Sequence, residues 1–375
     1  MGFQSELLAR GKTMYRDEIF DKIYGAWTGM IAGNNNGLFF ENKYQDYPVE
    51  EYIDGILSSV DRYRHTDWAF NVYDILLRYG GMADDDTLME WLMVEEILKL
   101  GRFPTPEELG RVWVENLNYR NFGEGRHALE QFAKGVRPPE HLEIDSGIPL
   151  TEYFKDWGIC ALIYNEILGI LTFQHPETVR SRALEYGSMV NRREGCEGAV
   201  FGAALQNAAM RMNCVTDIIE YAIGELDRDT VFFREIERAY QTARANADWK
   251  KARQEFLSAL PKHHIADAIP NAGLVLLALY FGNGDFSETM SLSIQLGYDT
   301  DCNACTVGGV MGAIAGEKEI PARWKEFLNG IMVNMIWDKW DGCQRYEKYA
   351  FKLPEQISIR ELAEKTMNAA EIVSK

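Results

Sequence analysis

Histidine and cysteine are scarce in this chain, six of each among 375 residues, and neither set has the spacing of a familiar site. The histidines (His65, His127, His141, His175, His263 and His264) form no H-E-x-x-H pair, which disfavours a zincin. Walker A and G-x-S-x-G motifs are missing too, so a P-loop enzyme and a nucleophile-elbow hydrolase are disfavoured as well. The cysteines are scattered, and a chain this long needs no disulfide framework. Cys302 and Cys305 make a C-x-x-C pair, but no second pair at zinc-finger spacing exists. They read as two helical cysteines facing the core, with Cys302, beside Asp301, a candidate for an inner shell.

Positive charge is also short: 39 Lys and Arg stand against 57 Asp and Glu, a net charge of -18. That balance opposes binding to nucleic acid or a membrane surface, both polyanionic. It leaves a nucleotide-like small molecule open, because a bound dication reverses the local sign of charge. No hydrophobic run reaches membrane length; even LVLLALYF (274–281) is too short. The first twenty residues hold no apolar core of signal-peptide length, and Glu6 breaks the myristoylation pattern. A reduced cytoplasmic protein is the expectation.

What is present is helical periodicity. Apolar positions recur at helix spacing over 17–32, 68–80, 87–100, 105–117, 157–173, 176–191, 197–212, 216–226, 230–244, 270–281, 286–296, 303–315 and 321–337. Alternating strand patterns are absent, and the predicted class is all-α. Without repeats or low-complexity linkers, residues 1–375 read as one domain. A helical extension at about 345–375 closes the chain, with Ser358 and Glu361 as a capping box for a helix over 357–371. Residues 118–150, rich in Gly and Pro, predict long loops at the rim of a substrate cleft. The charged stretch 227–268 predicts a solvated outer helical excursion.

Three segments are rich in small residues: 25–33 (GAWTGMIAG), 198–209 and 306–316. Each Gly weakens an isolated helix by about 1 kcal/mol relative to Ala, so such segments fit closely approaching helices.

Two acidic clusters carry the chemistry, Asp84-Asp85-Asp86-Thr87 and Asp299-Thr300-Asp301. Each precedes a helix, so capping and the helix dipole explain one or two of these acids. Three in a row exceed what a cap needs, and five carboxylates brought together require a cation. An EF-hand fits Asp299, Asp301 and Asn303 at its first three ligand positions. It fails at Ala304, where Gly is needed, and at Val310, where a bidentate Glu is needed.

From Asp21 to Trp324 these blocks resemble the ADP-ribosylglycohydrolase family. DKIYGAWTGMIAGNNNGLFFE (21–41) is similar to the family's opening G-x-x-x-G-x-x-x-G-D-A-x-G helix with a downstream Glu. ADDDT (83–87) is similar to its T/S-D-D-T, and 183–209 to an Ala-rich helix region. GYDTDCNACTVGGVMGAIAGEKEIPARW (297–324) is similar to its G-x-D-T-D-T/C…G-x-x-x-G…I-P-x-x-W signature.

The resemblance implies an all-α fold, a compact multi-helix orthogonal bundle. It also implies a metal-dependent glycohydrolase acting on an ADP-ribosyl or related ribosyl conjugate, either small or protein-linked. It implies two Mg²⁺ ions, with Mn²⁺ or Ca²⁺ as substitutes, on Asp84, Asp85, Asp86, Asp299, Asp301 and Cys302. Glu41 is the candidate base or electrostatic partner, with Asp299 or Asp301 secondary. Three positions depart from the pattern. Asn34 stands where the family usually has Asp, and Asn191 near a position often held by His; both are candidate substrate-binding residues that hydrogen-bond without ionising. Cys302 stands where Thr is often a ligand. Sulfur suits Mg²⁺ poorly, so one ion is expected to bind more weakly or to differ, while Asp84 offers an extra oxygen. The departures keep a non-catalytic ligand-binding or structural role open, and equally a non-ADP-ribose glycoside or nucleoside as substrate.

Overall fold

A computed structural model describes residues 2–41, 44–55, 80–117, 123–261, 263–334 and 356–375, with side chains from Arg16 onward. The chain opens with α1 (Gly2–Gly37), then β1 (Gly81–Met82), α2 (Asp85–Leu100), α3 (Pro106–Asn116) and α4 (Gly123–Ala133). Next come α5 (Pro149–Trp157), α6 (Cys160–Tyr164), α7 (Ile167–Leu171), α8 (Val179–Gly187) and α9 (Glu194–Arg211). The second half holds α10 (Val215–Gly224), α11 (Val231–Ala245), α12 (Trp249–Ala259), α13 (Ala268–Gly282), α14 (Phe286–Gln295) and α15 (Thr300–Ala315). It ends with α16 (Ala322–Lys325), β2 (Ile331–Val333), β3 (Gln356–Ser358) and α17 (Ile359–Val373). The fold is all-α, as the periodicity predicts.

The small-residue segments explain the centre of the molecule. Gly25, Gly29, Gly33 and Gly37 lie four residues apart on one face of α1, opposite Gly312, Gly308, Ala304 and Thr300 of α15. A Cβ on any of the four would strike the backbone of its partner. The two helices therefore run antiparallel with backbones touching, and the C-terminal end of α1 meets the first turn of α15. Around this pair Trp27, Trp91 and Trp324 are fully buried in one continuous apolar core. Trp27 Nε1 donates to Thr366 Oγ1 at 2.9 Å, so α17 docks its buried stripe on α1. α13 is apolar on all sides because α11, α14 and α15 cover it. No described helix is long and apolar enough to cross a membrane.

Several boundaries differ from expectation. The single helix predicted over 157–173 is two short ones, α6 and α7. The Ile167 N–H donates to Glu90 Oε1 at 2.7 Å, and Asn165 Nδ2 donates to the Ala161 carbonyl at 2.7 Å. The 176–191 helix shortens to α8 behind a 3₁₀ turn, and 118–150 contains α4 and the start of α5 where loops were expected. The helix predicted over 321–337 stops after α16, and the chain enters β2 instead. Strands do occur: β2 pairs parallel with β1 and antiparallel with β3. At two and three residues they are too short to carry an alternating pattern. The predicted helix over 68–80, up to residue 79, and the 345–355 part of the C-terminal extension lie outside the described residues.

Candidate metal centre

The first acidic motif is aimed by backbone pairing and by one asparagine. Asn35 Oδ1 accepts the Met82 N–H at 2.7 Å, and its Nδ2 donates to the Met82 carbonyl at 2.8 Å. This clamps β1 to the end of α1, so the chain emerges as Asp84-Asp85-Asp86 beside Asn34. Asp84 caps α2, accepting the Asp86 N–H at 3.2 Å. Capping thus accounts for one of the three acids and leaves Asp85 and Asp86 over.

The second motif starts α15. Asn271 Oδ1 accepts the Asp299 N–H at 3.2 Å and Asn303 Nδ2 at 2.8 Å, and Thr300 Oγ1 donates to the Gly37 carbonyl at 2.8 Å. Tyr298, just before it, has φ 68°, a left-handed conformation that costs a non-glycine residue on the order of 1–2 kcal/mol. Its N–H is held by the Tyr44 carbonyl at 3.2 Å. Such strain at the entry to an acidic helix start is typical of sites rather than of scaffolding.

The two motifs face each other. Within each, one donor atom per residue lies within 4.8 Å of the others: Asp84, Asp85 and Asp86 in one, Asp299, Asp301 and Cys302 in the other. Burial, then Asp85 and Asp301, raise the Asp84 carboxyl well above the usual range. Burial, then Asp84, Asp85, Asp301 and Glu166, do the same to Asp86. Asp85 is pushed up to about 7 by burial and Asp301, against a 3.1 Å bond from Tyr164. Asp299 is raised by burial, then by Asp301 and Glu41, which puts Glu41 at the same end of α1. No basic side chain among the described residues bonds to Asp84, Asp85, Asp86, Asp299 or Asp301. Asp86 Oδ1 and Asp301 Oδ1 are buried without any hydrogen-bond partner. Oxygen donors in this state fit a divalent cation.

Asn34 belongs to this end, its Nδ2 donating to Asp84 and, at 3.2 Å, to Asp86 Oδ2. Asn191 does not touch either motif. It is fully buried, accepting the Ala161 N–H at 2.7 Å and donating to the Phe154 carbonyl at 2.7 Å and Glu124 Oε1 at 3.4 Å. It thereby orders α6, whose Tyr164 reaches Asp85.

Sequence reasoning missed Glu90 and Glu166. Both are buried behind Asp86, each with one carboxylate oxygen unpartnered. Glu90 bonds the α7 start, and Glu166 accepts from Thr306 of α15. Burial lifts Glu166 to about 8, and burial and Glu166 lift Glu90 well above its usual range. The available signal was the spacing from Asp86 to Glu90, one helical turn on the same face.

A cavity of about 250 Å³ lies nearby, lined by Tyr153, Trp157, Leu260, His263, Asp267 and Ile269 among others. His263 Nε2 and Tyr298 Oη are 2.5 Å apart, and Asn271, which holds Asp299, also donates to the Asp267 carbonyl at 2.9 Å. The cavity is therefore coupled to the second motif through one layer of side chains.

The family model for ADP-ribosylglycohydrolase matches residues 15–361. The chain belongs to the ADP-ribosylglycohydrolase family. Among solved structures, this glycohydrolase is similar to an "ADP-ribosylglycohydrolase-related protein complex" chain at 20% identity, with a TM-score of 0.57. The likeness covers 94% of this chain and 99% of the other, and it is one of fold. Comparison with curated proteins gives no match. Family membership makes the chain a hydrolase of glycosidic bonds, with acidic groups able to hold a metal.

Proposed function

We propose that the protein is a divalent-metal-dependent glycohydrolase that cleaves a ribosyl linkage, with ADP-ribosyl conjugates as the first substrate class. The supporting observation is the meeting of two buried acidic helix starts with unpartnered oxygens, Asp86 Oδ1 and Asp301 Oδ1, in a chain of this family. Asp84, Asp85 and Asp86 would hold one cation and Asp299, Asp301 and Cys302 a second, with Mg²⁺ the expected ion, Mn²⁺ or Ca²⁺ its substitutes, and weaker or different binding expected where Cys302 contributes. Bound there, the ions supply Lewis acidity and orientation for a ribose diol.

The protein's own groups do the rest. The Glu41 carboxylate, on the Asp299 side of the centre, accepts a proton from the attacking water. Until it takes that proton, its negative charge balances the positive charge that develops at the anomeric carbon as the bond to the leaving group breaks, and the leaving group takes its proton from solvent. Asp299 is the second candidate for that role. Asn34 fixes the Asp84 and Asp86 carboxylates, and Asn191 holds α6 and with it Tyr164. The cavity between Tyr153, Trp157 and His263 accepts a flat ring at the far end of the substrate.

The test is release of free ribosyl product from ADP-ribosylated protein, ADP-ribose conjugates and plain nucleosides, with and without Mg²⁺. Asp86→Ala should lower turnover by about 10³-fold or more and remove, by calorimetry, the cation held by the first motif. Turnover by Asp86→Ala at the wild-type rate rejects the site. A second reading, ligand binding without turnover, is favoured by Asn34, which lies against Asp84 and Asp86 and cannot ionise; tight ADP-ribose binding with no product from any substrate would establish it.

A further inference from the structure

The two halves of the centre offer different donors. Asp84, Asp85 and Asp86 present oxygen alone. Asp299 and Asp301 present oxygen, and Cys302 adds a sulfur within 4.8 Å of theirs. The side chain is well placed to be used: Cys302 is in the first turn of α15 and 5% exposed. The other polar side chains of that turn are already committed. Thr300 Oγ1 donates to the Gly37 carbonyl at 2.8 Å, and the Asn303 amide is bound to Asn271 at 2.8 Å. Asp301 Oδ1, buried and unpartnered, independently marks the position as short of a ligand.

A donor set of two carboxylates and a sulfur does not suit Mg²⁺, which takes oxygen in near-ideal octahedra. It suits a borderline ion such as Zn²⁺, which binds carboxylate oxygen and thiolate sulfur in a four-coordinate shell. We propose that the centre is heterometallic, with a hard-ion position on Asp84, Asp85 and Asp86 and a Zn²⁺ position on Asp299, Asp301 and Cys302, the Cys302 sulfur bound directly as thiolate. Zn²⁺ binding transfers the thiol proton to solvent; no electron moves. This inference rests on the metal-binding reading above and sharpens it, since two equal Mg²⁺ sites would not require a thiolate.

The experiment uses the full chain stripped by a chelator and reloaded. With Co²⁺ as a probe of the Zn²⁺ position, the wild type should show a sulfur-to-cobalt charge-transfer band in the near ultraviolet. Cys302→Ser and Cys302→Ala, checked for native melting, should lose that band and bind Zn²⁺ roughly tenfold or more weakly, while Mg²⁺ still binds at the other position. Cys160→Ser and Cys305→Ser should retain the band, which excludes the neighbouring thiols as its source. A wild-type protein without the band, or a band that survives both Cys302 variants, overturns the proposal. Two equivalents of Mg²⁺ bound with the Cys302 thiol still open to alkylation overturns it alone and leaves the glycohydrolase reading standing. Binding of no divalent cation at all overturns both.

Discussion

Lys155 and Asp86 are both buried ionisable side chains, and their surroundings differ in kind. The Lys155 ammonium is fully enclosed, yet it donates to Glu152 Oε1 and to the Ile144 carbonyl, each at 2.7 Å. Arg253 is satisfied in the same way by the Leu296 carbonyl at 2.7 Å and the Gln45 carbonyl at 2.9 Å. Glu197 is paired with Arg180 at 2.8 Å and capped by the Asp227 N–H at 3.0 Å. Where this chain needs a buried charge for structure, it supplies the partner from its own sequence. Around Asp86 it supplies more acid: Asp84, Asp85, Asp301 and Glu166. No basic side chain among the described residues answers that charge, so these carboxyls either keep their protons or take a cation, the pattern of a site rather than a strut.

The contrast is breakable at three points. The largest effect is expected at Lys155. Lys155→Ala empties a fully buried site, takes the cation from Glu152, which keeps only Ser146 as a donor, and takes the donor from the Ile144 carbonyl. It should cost on the order of 3 kcal/mol in denaturant unfolding, and a loss under about 1 kcal/mol would erase the distinction.

Next is the dependence of stability on pH in chelator. The Asp85 and Glu166 carboxyls, raised to about 7 and about 8 by burial, hold protons more tightly folded than unfolded. The stability they contribute is whole below the ordinary carboxylate range and is lost as pH rises through those values. The metal-free melting temperature should therefore fall by several degrees between pH 6 and pH 9. A divalent cation should restore it at pH 9, and Glu166→Gln, which keeps the Thr306 bond, should flatten the slope. A melting temperature that rises over this window contradicts the account.

The smallest effect belongs to a surface pair. Arg102 meets Glu108 through two bonds of 2.8 Å, but the arginine is exposed. Arg102→Ala should leave the melting curve unchanged within error, and a clear drop would mean that exposed pairs matter here as buried ones do.

The all-α class, most helix positions and both acidic motifs were legible in the sequence, because helical periodicity and runs of like charge are local signals. The glycine spacing on α1 was legible as close packing; its partner residues on α15 were not named by it. Glu166 was illegible as a core residue, and Glu90 was marked only by its one-turn spacing from Asp86. A glutamate on an amphipathic helix is ordinarily solvated, and only the packing of α2 against α6 and α7 encloses these two. The split of 157–173 was hidden for the same reason, since it depends on the Glu90 side chain taking a backbone N–H from a distant helix. Asn191 shows the limit from the other side. Its family position pointed toward substrate, whereas its contacts are with Ala161, Phe154 and Glu124.

The glycine seam has one more consequence. Helices that mesh through side chains can slide by small amounts as rotamers adjust, but α1 and α15 interlock carbonyl against Cα at a four-residue pitch. The nearest alternative alignment is a whole tooth away, about 6 Å along the axis, and nothing lies between. The offset between Asn34 at the end of one helix and Asp301 at the start of the other is thus digital rather than analogue. The separation of the two acidic helix starts is therefore gauged by covalent backbone dimensions and not by the rotamers of the side chains between them.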